Sequence, residues 1–458
     1  MTFNSFEFIG YFIIVLLVLA LIDRYAQSNK IRNIFLLVSS LVFYAFFNVY
    51  HLFILIFVVI YTYIFALRIR EKSYLLKLGI AFAITILFIY KYFNFFIDSF
   101  LTLFRVNNSL TIELLLPIGV SFYLFKSISY LVDVSKGVIE PENNFVNVAL
   151  YICFFPELLA GPISRSNDLI TQLKENRRVN ITGLSIGFQM FLIGLFKKIV
   201  LADNISVFVN EIYRAPKIFS SMTIILCIIA YSFQIYLDFS GYSDMAIGCS
   251  KMLGFDIKKN FNMPYLSHNV TEFWKRWHIS LSSWLQDYIY IPLGGNRKGR
   301  RRQYINLIIT MIIGGLWHGS KMTFIVWGLV NGVALVIHKI YSEQKRGRKN
   351  SMLSILFTFA FVSLTWVIFR SGSLKDALCI YSSIFNGFGI NYIHINTIVC
   401  IIIALSMMVI SYKTNNSESF YLIQDLNTVK GLVCVILLIG VIIGFAYTGF
   451  NPFIYSSF

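Results

Sequence analysis

The chain has 458 residues, of which 57% are hydrophobic and only 13% charged. Soluble domains carry about 25% charged residues, so this composition excludes an ordinary water-soluble protein and points to one whose solvent is the bilayer. The net charge of +17 does not mark a nucleic-acid binder, because the lysines and arginines gather in short loops between apolar stretches, the positive-inside pattern of membrane proteins.

The opening "MTFNSFEFIG" has neither a basic leader nor a small-residue cleavage site, so the first apolar segment reads as a retained span. A crossing helix needs about 20 apolar residues. Such stretches fall near 8–24, 33–48, 52–68, 76–96, 112–134, 180–202, 218–238, 303–319, 322–341, 351–370, 396–412 and 431–449. They predict an all-α polytopic membrane protein with roughly 11–12 spanning helices. Residues 33–67 carry no charge and are too long for one crossing, so "NVYH" at 48–51 reads as a hairpin. The whole chain, 1–458, reads as a single integral membrane domain.

Loop charge sets the orientation. Arg24, Lys30 and Arg32 lie at one end of the second span, and Arg68, Arg70, Lys72 and Lys77 follow the third. The positive-inside rule makes that face cytoplasmic and puts the N-terminus outside. Lys174, Arg177 and Arg178, "RKGRRR" (297–302) and "KRGRK" (345–349) fit the cytoplasmic side, while the 99–111 loop with only Arg105 fits the other. The six cysteines are scattered singly, and no CxxC, HExxH or Cys/His cluster occurs, so neither a disulfide framework nor a metal site is expected.

Four stretches hold too many polar, Gly or Pro residues for a lipid-facing helix: "LPIGVSFYLFKSISYLVDVSKG" (116–137), "FFPELLAGPISR" (154–165), "YLDFSGYSDMAIG" (236–248) and "TEFWKRWHISLSSWLQDYIYIPLGGN" (271–296). Charge and irregular backbone at membrane depth are tolerated only against protein or a watery cavity. The second stretch is short and Pro-bracketed, a re-entrant element; the third places Asp238, Ser240, Tyr242, Ser243 and Asp244 directly after the uncharged run 218–237. Together they predict re-entrant and interfacial helices around a central funnel or tunnel. In the fourth, Phe273, Trp274, Trp277, Leu281, Trp284, Leu285 and Tyr288 gather on one face at 100° per residue, with Lys275, Arg276, Ser282, Ser283, Gln286 and Asp287 opposite. That pattern predicts one amphipathic helix over 273–288, along the interface or lining the funnel, with His278 at the boundary of its faces.

His318 ends the uncharged run "NLIITMIIGGLWHGS" (306–320). Counting back by four gives Gly314, Thr310 and Asn306, a stripe of small and polar side chains that lets a backbone or channel approach closely. An ionisable group at this depth is a functional candidate.

The blocks "FWKRWHISLSSWLQDYIYIPLGGNRKG" and "GGLWHGS", with the three other irregular stretches in order, closely resemble the membrane-bound O-acyltransferase family, in its bacterial alginate-O-acetylation branch. The resemblance spans about residues 5–410; the C-terminal helices, 396–458, carry no recognised block beyond 412. It implies a ring of tilted helices thinned at the centre, a main catalytic histidine at His318 and a second at His278. Asp238, Tyr242, Trp274, Trp277, Asn306, Thr310 and Trp317 are the candidate lining of the substrate path. The expected reaction moves an acetyl group from a cytoplasmic thioester, acetyl-coenzyme A or another acyl thioester, to hydroxyls of an exported polysaccharide. Transfer is direct or passes through an extracytoplasmic SGNH-type acetyltransferase partner. No bound cofactor, metal or nucleic acid is expected, and the setting is a bacterial inner membrane. "RKGRRR" could serve donor phosphates, although membrane anchoring explains it equally well. Two alternatives stand beside this reading: D-alanyl transfer from a carrier protein to a teichoic-acid-type polymer, and a multi-pass transporter or flippase. The latter class tends to show inverted repeats with paired broken helices, and the sequence shows none.

Overall fold

The computed structural model describes residues 1–104, 115–344, 351–413, 425–449 and 451–454. Arg105 and the basic run 345–349 lie outside the described residues. Among the described residues all regular structure is helical. Eight helices among the described residues are long and apolar enough to cross a membrane. The other expected spans coincide with Asn29–Ala45, Val120–Ser135, Arg300–His318 and Val429–Phe445. The first two and the last are shorter, and the third opens on three arginines, so each hydrophobic stretch has a helix even where length or charge makes it atypical. Large apolar side chains point outward along the first helix, with Phe6, Ile14 and Leu17 at least 60% exposed. An apolar belt of that kind is stable only against acyl chains.

The chain forms two compact units, one of residues 1–191 with 245–258 and the other of residues 192–244 with 259–458. In the first unit, two of the irregular stretches meet. The Lys126 ammonium pairs with Glu157 and donates to the Tyr151 carbonyl at 2.8 Å, and the Ser164 hydroxyl donates to Glu157. Glu157 lies on the four-residue helix Phe155–Leu158, whose residues are all buried. Arg32 is not a solvated anchor: it is 2% exposed, pairs with Asp23 at 3.3 Å and donates to the Leu253 carbonyl. Buried charge of this kind persists because it is paired, and removing one partner costs about 3–5 kcal/mol.

The stretch "YLDFSGYSDMAIG" differs from its expectation. It is not a break after a span but the second half of one 32-residue helix, Ser221–Met252. Helical backbone satisfies its own polar groups, and the carboxylates find buried lysines (below), so nothing forces the chain to unwind. Its glycines allow close packing on Ile181–Leu195. Within the first unit a Cβ on Gly248 would lie 2.5 Å from the Gly187 carbonyl oxygen, and within the second a Cβ on Gly241 would lie 2.7 Å from that of Gly194. Both pairs are seven residues apart, two helical turns, which places a small residue at each successive crossing contact.

The predicted amphipathic helix over 273–288 is also corrected. It is two short helices, Val270–Arg276 and Ile279–Leu285, followed by a π-helical turn, Gln286–Tyr290. The break falls on Trp277 and His278.

Candidate active site

The backbone of His278 has φ +43°, in the left-handed region, one of three non-glycine residues there among the described residues. Such a conformation costs of order 1–3 kcal/mol and persists only where the surroundings over-determine it. The surroundings here are the segment around Asn260. The Ile279 amide donates to the Asn260 carbonyl at 2.8 Å and the Asn262 amide to the Arg276 carbonyl at 2.9 Å, which ties both sides of the break to one strap. The Asn260 side chain then fixes the imidazole. Its Oδ1 accepts from the Ser280 amide at 3.1 Å and the Ser280 hydroxyl at 2.9 Å, and lies 3.1 Å from His278 Nδ1.

That arrangement determines the tautomer. A backbone N–H only donates, so the Asn260 atom facing it is the oxygen. His278 Nδ1 must therefore carry a proton and donate, leaving the lone pair on Nε2. Burial pushes the imidazole down to about 3, so it is neutral throughout the physiological range. On its flank the Phe239 ring stands edge-on at 4.7 Å.

His318 is held differently. It is the last residue of Arg300–His318 and 5% exposed. Four aromatic rings surround it: Trp317 at 4.8 Å, Phe369 at 5.0 Å and Trp327 at 5.4 Å between ring centres, with Phe324 at 6.3 Å. The first three meet it edge to face, at interplanar angles of 72–86°. This cage depends on how closely the helix packs on its hairpin partner, Met322–Gln344. A Cβ on Gly315 would lie 2.2 Å from the Phe324 carbonyl oxygen, and one on Gly328 would lie 2.4 Å from that of Met311. The close backbone contact thus uses Gly315; Gly314, on the predicted stripe, faces the tip of Leu285 at 3.1 Å.

The two histidines share one neighbour. The Trp317 ring lies 5.9 Å from His278 and 4.8 Å from His318, edge-on to both. Histidines 40 positions apart in sequence therefore both pack against a single indole.

The remaining predicted residues fall into three groups. Trp274 packs edge-on against Trp327 at 5.6 Å, and Trp277 lies tilted against Trp366 at 4.9 Å, so these tryptophans form the wall behind the His318 cage. Asn306 donates to the Gly295 carbonyl at 3.0 Å, and the Thr310 hydroxyl donates to the Asn306 carbonyl at 2.7 Å; they hold the glycine turn that precedes the helix. Asp238 and Tyr242 belong to a buried charge cluster. Lys198 Nζ lies 2.6 Å from Asp238 and 2.8 Å from Asp203, and Lys197 Nζ lies 2.5 Å from Asp244. Asp238 also accepts from the Ile454 amide at 2.9 Å, and Phe453 packs on Tyr242 at 4.6 Å, so the cluster fastens the C-terminal segment.

Sequence reasoning missed Asn260, Lys197 and Lys198. The lysines had a signal, since "FKKIV" puts two cations in an apolar run that needs partners. Asn260 had none: its role exists only where its loop meets the His278 break.

The MBOAT, membrane-bound O-acyltransferase, family model matches residues 39–346, which include both histidines. The chain is 39% identical to the probable alginate O-acetylase AlgI of Pseudomonas putida, over 84% of this chain and 80% of that one. It is 34% identical to the peptidoglycan O-acetyltransferase of Helicobacter pylori, over 98% and 94%. Similarity to the teichoic acid D-alanyltransferase of Bacillus subtilis is lower, 26% over 55% of this chain and 68% of that one. With its helical membrane architecture, its paired buried histidines and a family match over most of its length, the chain belongs to the membrane-bound O-acyltransferase family.

Proposed function

We propose that the protein is a membrane O-acetyltransferase that takes an acetyl group from a cytoplasmic thioester and places it on hydroxyls of an exported polysaccharide. The relatives named as O-acetylating enzymes match more of the chain, at higher identity, than those named as D-alanyltransferases, which favours acetyl as the group moved. The observation that carries the reading is the His278–Trp317–His318 constellation: one imidazole set in a fixed tautomer by Asn260 and the other caged in aromatic rings, both packed against one indole.

His318 acts as general base. As the acceptor oxygen forms its bond to the thioester carbonyl carbon, the O–H proton passes to the imidazole and the carbonyl π pair moves onto oxygen. Collapse of the tetrahedral intermediate breaks the C–S bond and the sulfur leaves with its electron pair. A thiolate of pKa near 8.5 leaves unaided and then takes up the proton, so the reaction needs help only with the hydroxyl. His278 is the assisting residue, its Nε2 lone pair turned by Asn260 away from the strap. The same chemistry applies if the first acceptor is a serine hydroxyl on an SGNH-type extracytoplasmic partner. The topology supports the scheme: a charged donor such as acetyl-coenzyme A cannot cross hydrocarbon, so a base buried within the protein lets acetyl move while the donor stays inside.

The test is His318→Ala, read as O-acetyl content of the surface polymer and as thioester consumption by purified protein. Both should fall by about 10²–10⁴-fold, the usual value of general-base assistance, with the amount of protein in the membrane unchanged. Retained acetylation at normal protein level removes His318 from the catalytic role.

A further inference from the structure

After the helix Val429–Phe445, residues 451–454 turn into the interior of the second unit and bind the buried lysine–aspartate cluster. Asn451 is held on three sides. Its carbonyl accepts from Lys198 Nζ at 3.2 Å, and its side-chain amide donates to Asp203 at 2.8 Å and to the Ser206 hydroxyl at 3.0 Å. The Ile454 amide donates to Asp238 Oδ2, and the Phe453 ring, 5% exposed, stands edge-on to Tyr242 with the Lys198 ammonium 4.6 Å from its centre. Lys198 and Asp238 lie near the middle of the stretches Ile181–Arg214 and Ser221–Met252, so this tail sits at membrane depth. Irregular backbone is tolerated there only inside protein or beside a watery cavity.

The tail borders such a cavity, of about 620 Å³, whose wall includes Tyr231, Gln234 and Arg370 and, from the tail, Asn451, Pro452 and Ile454. Its other walls include the ends of two spans, at Arg214 and Arg370. Ile181–Arg214 starts beside Arg177 and Arg178, and Met352–Arg370 starts beside the basic run 345–349. By the positive-inside rule both far ends, and the cavity with them, are extracytoplasmic. On the helix Ser221–Met252, Tyr231, Gln234, Asp238 and Tyr242 fall within about 80° of one another at 100° per residue, and so share one face. The first two border the cavity; the next two lie under the tail. The tail therefore fills the inward continuation of a groove that is open at its outer end. Phe239, between Asp238 and Tyr242, carries the ring that touches His278 at 4.7 Å.

The bonding of the tail is that of a removable part. Lys198 pairs with Asp203 at 2.8 Å and with Asp238 at 2.6 Å whether or not the tail is present, so its withdrawal leaves neither carboxylate without a cation. The groups that withdrawal uncovers on the tail, the Asn451 amide and carbonyl and the Ile454 N–H, are polar and accept water in place of their partners. The Phe453 ring is the apolar group that holds the tail in against hydration.

We propose that residues 451–454 are a plug that closes the extracytoplasmic passage toward the His278–Trp317–His318 site, and that the passage opens when the tail withdraws. The proposal takes its meaning from the acetyl-transfer reading but is tested without any acyl transfer, so failure of that reading leaves the test standing. In the full chain, Tyr242→Cys sets a thiol beneath Phe453. Of the native cysteines the buried Cys153, in the first unit, is kept, and Cys227, Cys249, Cys379, Cys400 and Cys434 are changed to Ala. Right-side-out membrane vesicles are treated with a membrane-impermeant maleimide, and modification of each site is followed by peptide mass spectrometry. Reaction requires the thiolate, so its rate reports how often water and reagent reach position 242. With Phe453 in place labelling should be slow; Phe453→Ala should speed it about tenfold or more by favouring the withdrawn tail, with Cys153 unlabelled in both. Asn451→Leu removes the amide donor without opening a void and should speed it about threefold. It carries the test if Phe453→Ala exposes Cys153 and so proves misfolded. Inverted vesicles should show no such acceleration. Labelling rates indifferent to both changes, or accelerated equally from the cytoplasmic face, overturn the proposal.

Discussion

The surroundings of His278 and of His318 achieve a fixed imidazole by opposite means. At His278 the agents are polar and local: a left-handed residue, two backbone tethers to one strap, and an asparagine oxygen accepting from three donors. At His318 they are apolar and distributed: rings from three helices, brought within contact by a glycine where two helix backbones touch. Hydrogen bonds specify a proton's position, whereas packing specifies a ring's position and keeps water out. Under the proposed mechanism, a residue that assists through a defined tautomer needs the first, and a base enclosed by rings needs the second.

The difference can be broken first by removing the imidazoles. His318→Ala should cause the largest loss, as above, while His278→Ala should cost less, about 10–10²-fold in acetyl transfer, if it only assists. Equal losses would make the two residues equivalent and erase the distinction. Next comes packing. Gly315→Ala puts a methyl against a backbone oxygen that cannot yield, which should destabilise by about 3 kcal/mol, at the upper end for overpacking, and disrupt the His318 cage. Gly314→Ala meets only the end of the Leu285 side chain and should cost under about 1 kcal/mol. Thermal unfolding of the two purified variants measures the gap.

Hydrogen bonding is the third lever. Asn260→Leu keeps the volume but removes the oxygen that sets the tautomer, and acetyl transfer should fall about tenfold. Combined with His278→Ala it should add little to the loss of acetyl transfer, since its hydrogen bonds to Ser280 hold the backbone and not the reacting imidazole. Additive losses would show that Asn260 works elsewhere. The smallest effect is His278→Gly, which relieves the left-handed backbone and should raise stability by up to about 1 kcal/mol relative to His278→Ala, with activity equally low in both. No difference in unfolding temperature would mean that the conformation stores no strain.

Much of the architecture was legible in the chain. Every apolar stretch long enough to span became a helix, because unsatisfied backbone is prohibitive in hydrocarbon and the helix is the one local solution. Both histidines stood out in the same way, as ionisable groups in apolar or amphipathic context. Legibility failed where the outcome depended on a partner distant in sequence. The 273–288 pattern is a sound amphipathic helix by periodicity, and it breaks where Asn260, 18 residues upstream of His278, holds His278 and Ile279 while Asn262 holds Arg276. The polar block 236–248 looked like an interruption and is helical because Lys197 and Lys198 wait opposite its aspartates.

By itself, then, the sequence determined the solvent of this protein and the placement of its hydrophobic helices, since each follows from local composition and the cost of exposing polar backbone to lipid; His318 stood out as an ionisable group in an apolar run, and His278 through the resemblance of its block to a family. Only the tertiary structure decided which nitrogen of His278 holds the proton, which rings enclose His318, and that one indole packs against both imidazoles. Those depend on which side chains from separate helices come within a few ångströms, and a one-dimensional pattern carries no such distances.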